Sequence, residues 1–184
     1  MIGAAWVDPA DTLLVRRVAV VVPLLGAALV HGAVAGEHFD EWVYAGVFFL
    51  VLQLVQLALA VLAWFTWTRP LAAAVVVTGL GPVAVWVLSR TAGMPIGPAD
   101  FRVPEPVGLA DVLCAVLELV TVLAAAPDLL RRHPVVAAGV PRPQGRALAA
   151  MVALAALVVT AWALGPALSG GHHHGDSAAA VSSG

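Results

Sequence analysis

The chain has 184 residues, of which 61% are hydrophobic and 11% are charged, and its net charge is −2. A soluble domain of this length would lack the polar surface that keeps a globular protein dissolved, so the composition predicts an integral membrane protein. The length accommodates one domain of several spans, each of about 20 residues. A single cysteine, Cys114, excludes an intrachain disulfide and a metal site built from several cysteines.

The first apolar run covers about 18–35 and follows the pair Arg16 and Arg17. Small residues recur along it at every fourth position, at Ala28, Gly32 and Gly36. In a membrane such a ladder allows the backbone of another helix to approach closely. We expect this run to be a span, and the ladder either packs it tightly against a neighbour or only reflects the abundance of Ala and Gly in this chain.

The same run also has the features of a cleaved signal peptide. Two arginines precede an apolar core of about 13 residues, and Ala33-Val34-Ala35 fits the pattern of a cleavage site. The leader before the arginines is long for a signal peptide and carries Asp8 and Asp11. Both interpretations stay open, and cleavage would remove His31 without changing the orientation of the later spans.

Four further apolar runs follow, at about 42–67, 71–89, 109–126 and 147–168. The second run reaches about 37 Å as a helix, which is enough to cross the hydrocarbon with some tilt. The segment 90–108 contains four prolines and is too polar to span, so we expect a functional outer loop. The prediction is an all-α bundle of five transmembrane helices in one domain, 1–168, followed by a flexible His-containing tail, 169–184.

The arginines predict the orientation of this bundle. With the N-terminus inside, the cytoplasmic segments hold Arg16, Arg17, Arg69, Arg131, Arg132, Arg142 and Arg146. The opposite side then holds only Arg90 and Arg102. This asymmetry follows the positive-inside rule, so we expect a cytoplasmic N-terminus and an extracytoplasmic C-terminus in the cytoplasmic (plasma) membrane.

Polar groups inside the spans indicate where a site lies. Asp111 and Glu118 are seven residues apart and share one face of the fourth run, with Cys114 between them. A lone carboxylate near the midplane costs about 2.5–3.5 kcal/mol, so Glu118 needs a partner. The candidates at suitable depth are His31, Gln53 and Arg90. We favour His31, because an imidazole and a carboxylate can share a proton.

Two functions from different classes fit these residues. The first is an outward-facing polar pocket for a metal ion, a proton or a small ligand, formed by His31, Gln53, Glu118, Asp111, Arg90 and Cys114. The second is an accessory or scaffold subunit of a larger membrane complex, in which the polar groups only fix the helix packing. An enzyme ranks third, and the absence of an inverted repeat argues against a complete transporter.

Other residues offer weaker sites. Divalent metal ligands occur at Glu37, His38 and Glu41, in what reads as an acidic turn, and at His172, His173 and His174 in the tail. We favour an ordinary solvated turn at the first of these, because no fixed His-Cys spacing is present, and a flexible tail would bind metal weakly. Aromatic residues beside Gln53 and Gln56 would suit a quinone-like ligand, although glutamines often join helices instead. Haem is disfavoured because only His31 lies within a span.

The expected partners are the lipid bilayer and a membrane protein or a second copy of this chain. No basic aromatic face is present, so nucleic acid is not expected as a partner.

A resemblance rests on two short patches. Glu37-His38 with Glu41-Trp42, and Ser89-Arg90-Thr91 followed by Gly93, Pro95, Gly97 and Pro98, resemble a pattern in small polytopic membrane proteins of GC-rich actinobacteria. The resemblance implies no activity and no catalytic residue. It does imply that Arg90 and the proline-rich loop form a defined structure.

Overall fold

The computed structural model describes residues 9–130 and 142–169, and this part of the chain is helical with no strand. The helices are α1 (Pro9–Glu41), α2 (Val43–Phe65), α3 (Arg69–Thr91), α4 (Leu109–Ala125), α5 (Pro127–Leu130) and α6 (Pro143–Ser169). Five segments are long and apolar enough to cross a membrane, namely α1, α2, α3, α4 together with α5, and α6. The prediction of an all-α protein with five candidate spans is confirmed at this level.

Helix α1 is longer than the sequence indicated. It has 33 residues and a length of about 50 Å, compared with about 30 Å for the hydrocarbon of a bilayer. The expectation that the helix ends near Gly36 is wrong, and the predicted acidic turn is instead the last turn of α1. A glycine inside a helix costs only about 1 kcal/mol, which is not enough to end it. Trp42 alone separates α1 from α2, and His31 and His38 consequently share one face.

Helix α1 lies at the centre of the bundle, packed against α2, α4 and α6. Its apolar residues enter two core clusters, one with α2, α3 and α4 and the other with α4 and α6. Glycines allow α1 to pack closely against its neighbours. A Cβ added at Gly26 would lie 2.2 Å from Oγ1 of Thr160 in α6. One added at Gly32 would lie 2.3 Å from Nε2 of Gln53, whereas Gly36 faces open space. Within this series of small residues, Gly32 therefore permits a close helix contact, whereas Gly36 makes none.

The arginine-bearing ends of the helices meet at one end of the bundle. Arg16 donates to the Asp128 carboxylate of α5 at 2.6 Å, and Arg69 donates to a backbone carbonyl of α5 at 2.7 Å. The start of α6 joins them, because the Asp11 carboxylate accepts from the backbone N–H of Arg142 at 2.6 Å. Arg131 and Arg132 lie outside the described residues, as does the tail from residue 170 onward. The arginines assigned to one side by the sequence thus share one end of the fold where they are described.

The loop between α3 and α4 has a defined conformation. It contains a 3₁₀ helix, Ala99–Arg102, and its backbone closes on itself where the N–H of Met94 donates to the carbonyl of Phe101 at 2.6 Å. Gly93 has a φ of 75°, in the left-handed region that glycine adopts most readily. The Trp42 ring packs against Phe101 at 5.5 Å between centroids, which ties the loop to the α1–α2 connection.

Candidate ligand-binding cavity

A cavity of about 320 Å³ opens at the end of the bundle opposite the clustered arginines. It is lined by α1, α2, α3, α4 and the α3–α4 loop, and most of the lining is apolar. Its aromatic side chains are Trp42, Tyr44, Phe48, Phe49, Trp86 and Phe101. The volume and the apolar, aromatic lining with a few polar groups are typical of sites for small ligands.

The floor of the cavity holds the pair that the sequence favoured. Nε2 of His31 in α1 lies 2.9 Å from Oε1 of Glu118 in α4, and the two residues are only 5% and 2% exposed. The Cys114 Sγ lies 3.7 Å from the same imidazole nitrogen. Cys114 and Glu118 are four residues apart on α4, so both side chains project from one helix face toward α1. All three side chains contribute to the cavity wall.

A glutamine completes this cluster, but it is Gln56 where the sequence interpretation named Gln53. The Gln56 side chain is fully buried, and its Nε2 donates to Oε1 of Glu118 at 3.2 Å. Gln53 is half-buried, lies against Gly32 and does not line the cavity. The two glutamines point about 60° apart around α2, and in the bundle Gln56 reaches α4 while Gln53 packs against α1. Within the described residues, the Gln56 Oε1 is buried with no hydrogen-bond partner.

The rim of the cavity carries a separate charged group. Arg90, at the end of α3, donates to the Glu105 carboxylate from the loop and to Oδ2 of Asp111 at 2.5 Å. Asp111 also accepts from the backbone N–H of Gly108 and so caps α4. Arg90 therefore pairs with two acids at the rim and leaves Glu118 to His31. Glu105 was missed from the sequence, because the fold of the loop alone brings it back to Arg90.

The weaker metal candidates that the structure describes, on the last turn of α1, do not form a cluster of ligands. Glu37 and Glu41 are exposed on α1, and the His38 ring contacts the Val34 carbonyl of its own helix at 2.9 Å. Among residues 9–130 and 142–169, the one group of three with metal-ligand atoms close together is His31, Cys114 and Glu118, all buried. The histidines at 172–174 lie outside the described residues.

The cavity thus combines two chemistries. Its aromatic walls can hold an apolar body, and its floor presents an imidazole, a thiol and a carboxyl group that can bind a cation, hold a proton or accept hydrogen bonds. No protein-family model, curated protein or solved structure matches this chain. The resemblance noted for the loop stays a prediction.

Proposed function

We propose that this chain is a small multi-pass protein of the bacterial cytoplasmic membrane that binds a small ligand or ion in an outward-facing cavity. The supporting observation is the buried pair of His31 and Glu118 at the base of that cavity. Ionisable groups within a membrane are costly and are retained mainly where they serve a pathway or a binding site. A role confined to helix packing needs the hydrogen bonds but gains nothing from the open space beside them, since unfilled volume lowers stability.

The orientation is inferred from charge. The end of the bundle that gathers Arg16, Arg69 and Arg142 is cytoplasmic by the positive-inside rule. The cavity lies at the other end, with Arg90 and the proline-rich loop, and so opens to the extracytoplasmic side.

Cys114 provides a direct test, because it is the only cysteine of the chain and lines the floor of the cavity. A membrane-impermeant methanethiosulfonate reagent is applied to spheroplasts and to inverted membrane vesicles. We expect modification from the outer side and much slower modification in inverted vesicles. Modification only from the inner side, or from neither side, would contradict an outward-facing cavity.

A matched pair of variants shows whether the reagent travels through the cavity. Val85 lines the cavity, so Val85→Trp should slow the modification of Cys114 at least tenfold. Val87 lies two residues further on α3, is exposed on the surface of the bundle and does not line the cavity, so Val87→Trp should leave the rate unchanged. Equal rates in both variants would show that the reagent reaches Cys114 by another route.

Binding is then measured as protection of Cys114. The probes, added separately, are zinc chloride and a hydroxyquinoline-type quinone analogue, and slower modification of Cys114 with either one supports the proposal. In Glu118→Gln we expect normal helicity and assembly with reduced protection. Protection by neither probe, together with loss of folding or of partner association in Glu118→Gln, would instead assign the cluster to a scaffold role.

A further inference from the structure

We infer that His31, Cys114 and Glu118 form a zinc(II) site at the floor of the cavity. This inference rests on the proposed function, because it needs the floor to be reachable from the outer side. It goes further by naming the ion and the three atoms that hold it: an imidazole Nε2, a thiolate Sγ and one carboxylate oxygen.

The distances between the donor atoms fit a zinc ion. Tetrahedral zinc with Zn–N and Zn–O bonds of about 2.0–2.1 Å and a Zn–S bond of about 2.3 Å separates its donors by about 3.3–3.6 Å. The Sγ of Cys114 lies 3.7 Å from Nε2 of His31, and all three donors lie within 4.8 Å of one another. The Glu118 oxygen, now 2.9 Å from Nε2 of His31 and within 4.8 Å of Sγ of Cys114, needs to move by up to about 1 Å to reach both of these separations. The site therefore requires small side-chain adjustments and no movement of α1 or α4.

The charge balance favours a divalent ion. A thiolate and a carboxylate together cancel the charge of Zn²⁺, while a metal-bound imidazole is neutral. Before binding, one proton on the Cys114 thiol and one proton shared between His31 and Glu118 also give zero net charge. Zinc thus replaces two protons, both released to solvent, and the site is neutral before and after binding. Neutrality matters because an uncompensated charge within the membrane costs several kcal/mol.

The donor set also selects among metals. Thiolate and imidazole suit zinc and copper, whereas magnesium and calcium require oxygen ligands. Copper(I) with one thiolate and one carboxylate would leave a net charge of −1 in a buried site, and copper(II), although neutral here, favours square-planar or tetragonal sites of nitrogen and oxygen ligands. Zinc(II) accepts nitrogen, sulfur and oxygen together, and three protein ligands leave its fourth position open. Because all three donors line the cavity, that fourth position faces the cavity and can take water or an external ligand.

Neighbouring groups hold the donors in place. The Gln56 amide donates to Oε1 of Glu118 and fixes the orientation of that carboxylate. The Phe49 ring lies against the His31 imidazole with centroids 5.5 Å apart. Groups that orient metal ligands in this way typically change metal affinity by about 10- to 100-fold when they are removed.

The test uses the full-length chain purified in detergent, compared with a His172→Ala, His173→Ala, His174→Ala variant that removes tail binding. After treatment with a chelator, zinc chloride is added and bound zinc is counted by mass spectrometry of the metal. Cobalt(II) chloride serves as a spectroscopic probe, because a thiolate ligand gives cobalt a sulfur-to-metal charge-transfer band. We expect one tight zinc per chain in both proteins, and the cobalt–thiolate band in both.

Side-chain variants then assign the ligands. Cys114→Ala should abolish the cobalt–thiolate band, and Glu118→Gln should weaken zinc binding at least tenfold. Gln56→Leu should weaken it about 10- to 100-fold. Gln53→Leu is the matched control, because the same change three residues away touches neither the cavity nor Glu118, and its zinc affinity should equal that of the wild type.

Three results would overturn the zinc site. One is zinc binding that disappears with the three tail histidines, and another is a cobalt complex of the wild type without a thiolate band. The third is no binding of zinc or cobalt although the methanethiosulfonate reagent modifies Cys114 through the cavity, in which case the outward-facing cavity stands and only the metal is wrong. If the reagent does not modify Cys114 from the outer side and no metal binds, the proposed function falls as well.

Discussion

Replacing Gly26 by alanine should destabilise the bundle, because this glycine lies where α1 and α6 touch. The new methyl carbon would lie 2.2 Å from Oγ1 of Thr160 and 3.1 Å from a methyl carbon of Leu117. Non-bonded heavy atoms are most stable about 3.5–4.0 Å apart, so α1 and α6 must separate by about 1 Å or repack. Overpacking of this kind costs about 1–3 kcal/mol. Helices stay formed in detergent after they separate, so the better helix propensity of alanine offsets little of that loss.

The assay is equilibrium unfolding in mixed micelles with increasing dodecyl sulfate, followed by tryptophan fluorescence and circular dichroism. Thr160→Ala removes the clashing oxygen, so the double variant should recover about 1–2 kcal/mol relative to the sum of the single changes. Gly36→Ala is the control, since nothing lies within 4 Å of its added methyl, and it should not reduce stability. A Gly26→Ala protein as stable as the wild type, or an equal loss in Gly36→Ala, would refute the close packing of α1 on α6.

Three further predictions concern the two ends of the bundle. Asp128→Ala should lower the free energy of unfolding in the same assay by about 1.5–3 kcal/mol, because its carboxylate accepts from the Arg16 guanidinium and from a tryptophan indole at the arginine-rich end. Arg90→Gln should speed proteolysis of the α3–α4 loop by releasing two acids, whereas Arg102→Gln, which loses one exposed contact, should not. Gly93→Ala should also loosen the loop, because its φ is 75° and the added methyl would lie 2.4 Å from a backbone oxygen.

Each of these expectations has a contradicting result. Unchanged stability of Asp128→Ala would show that the carboxylate does not join α5 to the bundle. Equal cleavage of the Arg90 and Arg102 variants would show that the rim acids do not hold the loop. Wild-type protease resistance in Gly93→Ala would mean that the backbone at this residue accepts a side chain without strain.

The number of spans and the His31–Glu118 pairing could be read from the sequence because lipid constrains both. Long apolar runs have no stable alternative to a helix in a bilayer, so five runs predict five spans. Depth along a span follows from counting residues at 1.5 Å each, and this placed an imidazole and a carboxylate at compatible depth. Their contact at 2.9 Å follows from the need of a buried acid for a partner.

The direction in which each side chain faces around its helix axis could not be predicted from the sequence in the same way. Counting residues separates Gln53 from Gln56 by only about 4.5 Å in depth, a distance that a side chain can span, so depth alone does not choose between them. The packing of α2 against α1 determines that Gln56 reaches Glu118 while Gln53 covers Gly32. Side-chain direction therefore required the assembled bundle.

The end of α1 was missed for an energetic reason. Gly36 and the acidic residues after it look like a helix terminus, but their preference for a turn is weak. The Phe39 ring packs where a side chain of Gly46 in α2 would lie, with ring atoms 2.3–2.6 Å from that Cβ position. This contact needs the helical conformation beyond Gly36, and tertiary packing exceeds a local cost of about 1 kcal/mol.

The chain distance between the two halves of the floor has a consequence for biosynthesis. Glu118 follows His31 by 87 residues. At a synthesis rate of about 5–20 residues per second, Glu118 is added roughly 4–17 s after His31. A neutral imidazole tolerates that interval in lipid better than an ionised carboxylate would. The helix made first therefore carries the group that costs less free energy to place in lipid. The carboxylate of Glu118 is made only after its hydrogen-bond partner, His31, is present.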